Sequence, residues 1–161
     1  DRSKCPRRGD FYNLYTEFCK SHFGAKNGEA MLAALDEKLP KLMESYPEMS
    51  MKKQDYDEEK NAPFILAIVT PLMKRVHLMM KQSSELAFID SSSNMEELNL
   101  RVFLVCTHSV AGALPLGILI VSDERTATLV EGFTLLKNCM GENAFIGRQS
   151  LGPMVIITAP S

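Results

Sequence analysis

Apolar and polar positions change their period along this chain. Near the start they recur at helical spacing. Tyr12, Tyr15 and Cys19 fall three and four apart, with Phe11 and Phe18 beside them, which predicts a helix within residues 1–25. Asn27-Gly28 reads as a break and an N-cap. A second helix is expected from Glu29 to Tyr46, with Met31, Leu35, Leu39, Leu42 and Met43 as its stripe. Pro40 lies inside that stripe. Its ring collides with the preceding turn and it has no N–H to donate, so it should kink the helix or end it early. Residues 47–62 are polar and charged with no clean period, which predicts an exposed linker.

Beyond Pro63 the pattern tightens. Phe64 to Val69 is an apolar run suited to a short strand. Thr70-Pro71 then gives an N-cap followed by Pro at the first helical position. The helix after it carries Leu72, Met73, Val76, Met79 and Met80 as apolar residues. From Leu86 short runs take over. Leu86 to Asp90 predicts a strand, and Ser91-Ser92-Ser93-Asn94 a turn. Arg101 to Thr107 predicts a second strand, near-continuously apolar and therefore expected to be covered on both faces. Val110 to Leu114 is a small-residue turn region. Pro115 to Val121 predicts a third strand, with Gly117 marking a bulge. Short links favour an antiparallel meander of these three.

Thr128-Leu129-Val130-Glu131 matches a capping box, in which hydroxyl and carboxylate satisfy free backbone donors reciprocally. Leu129, Val130, Phe133, Leu136 and Met140 form the expected buried stripe, and Gly141 the C-terminal stop. Pro153 to Thr158 predicts a fourth strand. A helix between two strands of one sheet makes a right-handed crossover and a parallel pair. The expected architecture is therefore α/β, in the order β-β-β-α-β, preceded by a helical segment. The expected division is a helical segment with charged linker over 1–62 and the sheet domain over 63–161.

Size and charge narrow the classes. The 161 residues suffice for one domain with a real core, and 45% hydrophobic with 24% charged fits a globular chain. The net charge is -2 and the pI near 6.0, so bulk charge alone does not make a strong DNA binder. The longest apolar stretch, Val110 to Val121, is too short for a membrane span and carries two Gly and a Pro. The first residue is Asp rather than Met, with no basic-then-apolar leader after it; the expectation is an internal fragment. Of the four Cys, Cys106 and Cys139 sit in apolar blocks, where reduced buried thiols are the plainer reading, and an intracellular compartment is expected.

Candidate chemistry is sparse. Asp90 closes an apolar strand, where it reads as a metal ligand or as ordinary turn chemistry at a strand end. Cys106 and His108 are two apart and share a strand face, as a nucleophilic pair, as zinc ligands or as a core thiol beside a strand-end His. Cys19 and His22 have a Cys-x-x-His spacing with Cys5 upstream, too little for a four-ligand zinc site. Asp123 and Glu124 fit a solvated turn before the capped helix. Lys74, Arg75, Lys81, Arg101 and Arg148 could touch phosphates but are scattered. Met73, Met79 and Met80 read as core filler. No Gly-rich phosphate loop occurs.

Two stretches carry a family resemblance. One is Phe88-Ile89-Asp90-Ser91-Ser92 followed by Phe103-Leu104-Val105-Cys106-Thr107-His108-Ser109-Val110-Ala111-Gly112-Ala113-Leu114-Pro115-Leu116-Gly117. The other is Glu142-Asn143-Ala144-Phe145-Ile146-Gly147-Arg148 followed by Gly152-Pro153-Met154-Val155-Ile156-Ile157-Thr158. Together they resemble the opening of the catalytic domain in Mutator-like (MULE) transposases, over about Phe64 to Thr158. The resemblance implies a partial ribonuclease H-like fold, DDE-type strand transfer, DNA (transposon ends) as partner, a nuclear location and a homo-oligomer. It implies two Mg²⁺ or Mn²⁺ ions held by three acids, with Asp90 matching the first acid. The second acid would follow Thr158, where Ala159 stands and cannot ligate a metal. One carboxylate does not hold two catalytic ions, so transposition by this chain alone is not expected. The alternative is a domesticated, non-catalytic DNA- or protein-binding module.

Overall fold

The structure is a computed structural model that describes residues 8–23, 28–92 and 100–158. They fall into two compact units, Asp1–Lys41 and Leu42–Ser161. The first unit holds α1 (Arg8–Phe23) and most of α2 (Gly28–Ser45). Phe11, Tyr12, Leu14, Tyr15 and Phe18 of α1 are all exposed. Pro40 neither ends nor shortens α2, which runs on to Ser45. No helix among the described residues is long and apolar enough to cross a membrane.

The second unit is built on one mixed six-stranded sheet. Its strands are β1 (Ser50–Gln54), β2 (Ile65–Val69), β3 (Leu86–Ser92), β4 (Arg101–Ser109), β5 (Gly112–Val121) and β6 (Val155–Thr158). Across the sheet the order is β1-β2-β5-β4-β3-β6. β3, β4 and β5 form the expected antiparallel meander. The crossover helix α5 (Thr126–Met140) then returns the chain to the far side of β3, where β6 pairs parallel, Ile89 opposite Thr158. Between β2 and β3 stand α3 (Pro71–Met79) and the single turn α4 (Gln82–Glu85).

Residues 47–62, expected as a linker, contain β1 instead. Its sequence, Ser-Met-Lys-Lys-Gln, carries no strand signature of its own, and it forms by pairing along the whole of β2. β3 extends two residues past Asp90, to Ser92, and the rest of the expected serine turn lies outside the described residues.

β4 is not covered on both faces. Its burial alternates, with Phe103, Val105 and Thr107 buried and Val102, Leu104, Cys106 and His108 not. The buried set faces the core with Ile65, Leu119, Val76, Leu136 and Met140. The bulge expected near Gly117 is real: Val105 pairs with Gly117 but Cys106 with Pro115, leaving Leu116 as the extra residue of β5.

Two helix faces differ from expectation. α3 buries Met73, Val76 and His77, while Leu72 and Met79 point outward, Met79 being 77% exposed. The inward positions step by three and four from Met73, and 72 and 79 lie off that line. Thr70 caps α3 as expected, accepting from the Met73 N–H. α5 starts two residues before Thr128, so the capping box does not form. The N-cap, Arg125, makes no side-chain capping bond; Asp123, two residues earlier, braces the start of the helix by accepting from the Arg125 N–H at 2.9 Å and from the Thr128 hydroxyl at 2.7 Å. α5 buries the small residues Thr128 and Gly132 with Leu136, Cys139 and Met140, and leaves Val130 63% exposed. Gly141 ends α5 at φ 85 and ψ 164, outside the left-handed cap geometry.

Candidate functional site

Asp90 lies near the end of β3, exposed, paired with Leu104 of β4. Opposed residues of an antiparallel pair share a face, so Asp90, Phe88, Leu104 and Cys106 look out from the same side of the sheet. That side is the one opposite Phe103, Val105 and Thr107. The register with β6 places Asp90 one position beyond the last described pair, Ile89 with Thr158. Ala159 lies outside the described residues.

Cys106, on the same face, lies within the field of the Asp90 carboxylate. Burial pushes its thiol above the ordinary value and the Asp90 carboxylate adds to that push. A thiol held protonated is a poor nucleophile and a poor metal ligand. His108 sits two residues on along the same strand face, exposed. Cys106 and Cys139 are free, and the thiol of Cys139, buried under the sheet, is also pushed up by desolvation. Cys5 and the side chains of Cys19 and His22 lie outside the described residues.

Asp123 and Glu124 follow β5, but both carboxylates are engaged. Asp123 holds the Arg125 guanidinium at 2.8 Å besides its bonds to the Arg125 N–H and the Thr128 hydroxyl, and Glu124 stands 3.8 Å from Arg101. Two of the five basic candidates are matched by acids: Lys81 pairs with Glu85 at 3.3 Å and Arg101 with Glu124. Lys74 and Arg75 are on α3, and Arg148 follows α5 with its Nε buried and without a hydrogen-bond partner. They make no basic stripe.

A pair of hard divalent cations needs several carboxylate oxygens around it. Among the described residues no group of three or more His, Cys, Asp and Glu is placed to hold a metal ion. Asp90 by itself does not fit the two-cation centre that the resemblance implies.

The sheet's core face carries a second feature, an apolar hollow of about 220 Å³ between α5 and the β3–β6 pair. Ile89, Val105, Phe133, Met140 and Ile156 line it. A polar residue that the motifs passed over is His77, buried to 1% exposure with both ring nitrogens engaged. Its signal was the spacing Met73, Val76, His77, Met80, which puts it on the core face of α3.

No family model, curated protein or solved structure matches this chain.

Proposed function

We propose that the chain is a transposase-derived, ribonuclease H-like module in which Asp90 stands at the first-acid position, and that its described residues carry out no phosphodiester chemistry of their own. The observation that supports this most is the strand arrangement. An antiparallel β3-β4-β5 meander, a crossover helix and a β6 returning parallel beside β3 bring the chain back next to the Asp90 strand. That is the order expected of a ribonuclease H-like sheet. Asp90 points into solvent beside the returning strand, where a metal-held phosphate would be reached from outside. The acids that follow β5 are occupied by Arg101, Arg125 and Thr128, so they leave Asp90 without carboxylate help.

The reading carries DNA as partner, in the nucleus. With a net charge of -2, and with Lys81 and Arg101 already paired with Glu85 and Glu124, such a module holds DNA weakly, by a few phosphate contacts. A second reading, a domesticated module that binds protein, is favoured by one observation. β6 has apolar side chains on both faces, with Val155 51%, Ile156 56% and Ile157 47% exposed. Fluorescence anisotropy with a labelled duplex, from about 50 to about 200 mM salt, separates the two. Binding that weakens steeply with salt supports the DNA reading. No binding even at the lowest salt would overturn it in favour of protein binding.

A further inference from the structure

His77 joins two irregular pieces of backbone in the second unit. Its Nε2 lies 3.0 Å from the carbonyl oxygen of Leu116, the extra residue at the β4–β5 bulge. Its Nδ1 lies 3.4 Å from the backbone nitrogen of Phe145. A carbonyl only accepts and a backbone N–H only donates. The ring is therefore neutral, with its proton on Nε2 and its lone pair on Nδ1. The ring also meets the Phe145 ring edge-on, with centroids 4.6 Å apart at 84°.

Phe145 belongs to a tight turn, Ala144–Gly147, wound with the left hand. Phe145 and Ile146 have φ 54 and φ 55, and Gly147 follows at φ 75. Left-handed backbone costs an L-residue about 1–2 kcal/mol, and a β-branched residue is a clear outlier there. The described chain has one other non-glycine residue at positive φ, Asn61, a residue type that tolerates it. Something must hold Phe145 and Ile146 in place. Backbone bonds close the turn, from the Ala144 N–H to Gly141 and from the Gly147 N–H to Asn143, and among the described residues its one side-chain tie to the rest of the unit is the Phe145 N–H bond to His77, with the Phe145 ring, 6% exposed, packed against it.

We infer that His77 is an acid-sensitive latch on the Ala144–Gly147 turn: when the ring takes up a proton, Nδ1 becomes a donor facing the Phe145 N–H, and the turn and the β6 strand it feeds are released. Loss of the acceptor leaves two donors opposed in a dry setting, while the turn keeps its tendency to unwind. The groups around His77 do little to hold an imidazolium. Lys74, one turn earlier on its own helix, repels it. β5 offers only the Leu116 carbonyl, and β1 offers Ser50. α5 contributes the Cys139 thiol, held protonated, and the turn contributes Glu142, which is exposed to solvent at the rim of a hollow of about 250 Å³. Burial lowers the His77 pKa below its ordinary value, and the Leu116 hydrogen bond opposes that only in part. The open turn thus binds the proton more readily than the closed one. The latch is shut above pH 6.5, the ordinary value, and loosens as pH falls below it toward the lowered pKa.

The test is amide hydrogen exchange on the full chain from pH 8 to pH 5, corrected for intrinsic rates, with the His77 ring nitrogens followed by NMR. Opening of Phe145 to Gly147 and of Val155 to Thr158 should rise together, about tenfold per pH unit below pH 6.5, until His77 itself titrates. The His77→Gln side chain offers a donor and an acceptor without titrating, so that variant should lose the pH dependence. Ile146→Gly relieves the left-handed strain without touching the ring, and should lower the pH at which the turn opens. Protonation of His77 with no change at these amides would overturn the latch. So would a pH response that persists in His77→Gln, or an opening pH that Ile146→Gly leaves where it was.

Discussion

Gly117 of β5 meets Leu136 of α5 so closely that a Cβ at Gly117 would stand 2.9 Å from the Leu136 Cδ1 carbon. The contact has a counterpart one turn earlier, where a Cβ at Gly132 of α5 would come within 3.0 Å of both Leu119 methyls. Each element supplies one glycine and one leucine, and the two glycines let α5 and β5 approach closely. Leu119 and Leu136 are buried to 0% and 1% exposure, so neither can swing away freely. Gly117→Ala should cost about 1–3 kcal/mol, the usual penalty of overpacking a tight core. Gly132→Ala should come out near neutral. Its clash is softer, and the gain in helix propensity of about 1 kcal/mol works the other way. Urea unfolding of the two variants checks the contrast.

Thr107, 0% exposed on β4, donates its hydroxyl to the Leu86 carbonyl at 2.8 Å. Leu86 opens β3 and is also the first residue of β3 to pair with β6. The bond therefore anchors the strand that carries Asp90. Thr107→Val keeps the shape but removes the bond to a half-buried acceptor, and should cost about 0.5–1.5 kcal/mol by denaturant midpoint. Thr107→Ser keeps the bond and loses a methyl, so it should cost about 1 kcal/mol.

Asp123 fixes the start of α5. The Arg125 guanidinium bond, with help from the Thr128 hydroxyl and the Arg125 N–H, holds its pKa at about 2 against an ordinary 3.8, although burial pushes the other way. The folded pKa is the lower one, so the stabilisation is complete above pH 3.8 and is lost as pH falls through about 2. Asp123→Ala should lower stability by about 0.5–1.5 kcal/mol at pH 7, as loss of a net intramolecular hydrogen bond does. Below pH 2 the variant and the parent chain should converge. Thermal melts across that range test both statements.

Much of the sheet was legible in the chain. β2, β4, β5 and β6 are apolar runs bounded by turn residues, and the helix between β5 and β6 implied the parallel return beside β3. β1 was not legible, because Met51-Lys52-Lys53-Gln54 has too little apolar content to announce a strand and owes its place to β2. The inward face of α5 was legible at Leu136 and Met140, which are buried, and at Leu129 and Phe133, which pack against the core, but not at Val130. Hydrophobicity pointed to Val130, whereas close approach to the sheet selects Gly132 and Thr128. At the candidate site the sequence marked Asp90, but the engagement of Asp123 and Glu124 depends on side-chain geometry beyond any motif. His77 carries no motif at all. Its significance comes from the backbone of Leu116 and Phe145, which its two nitrogens meet.

The most direct test of the Asp90 assignment is a Mn²⁺ titration of the chain and of Asp90→Asn, read by melting temperature and by nicking of supercoiled DNA. An isolated, exposed carboxylate should give the two proteins the same melting temperature at low millimolar Mn²⁺, and no nicking by either. A Mn²⁺-dependent stabilisation or nicking that Asp90→Asn abolishes would contradict this, and would make Asp90 a working ligand of a catalytic centre.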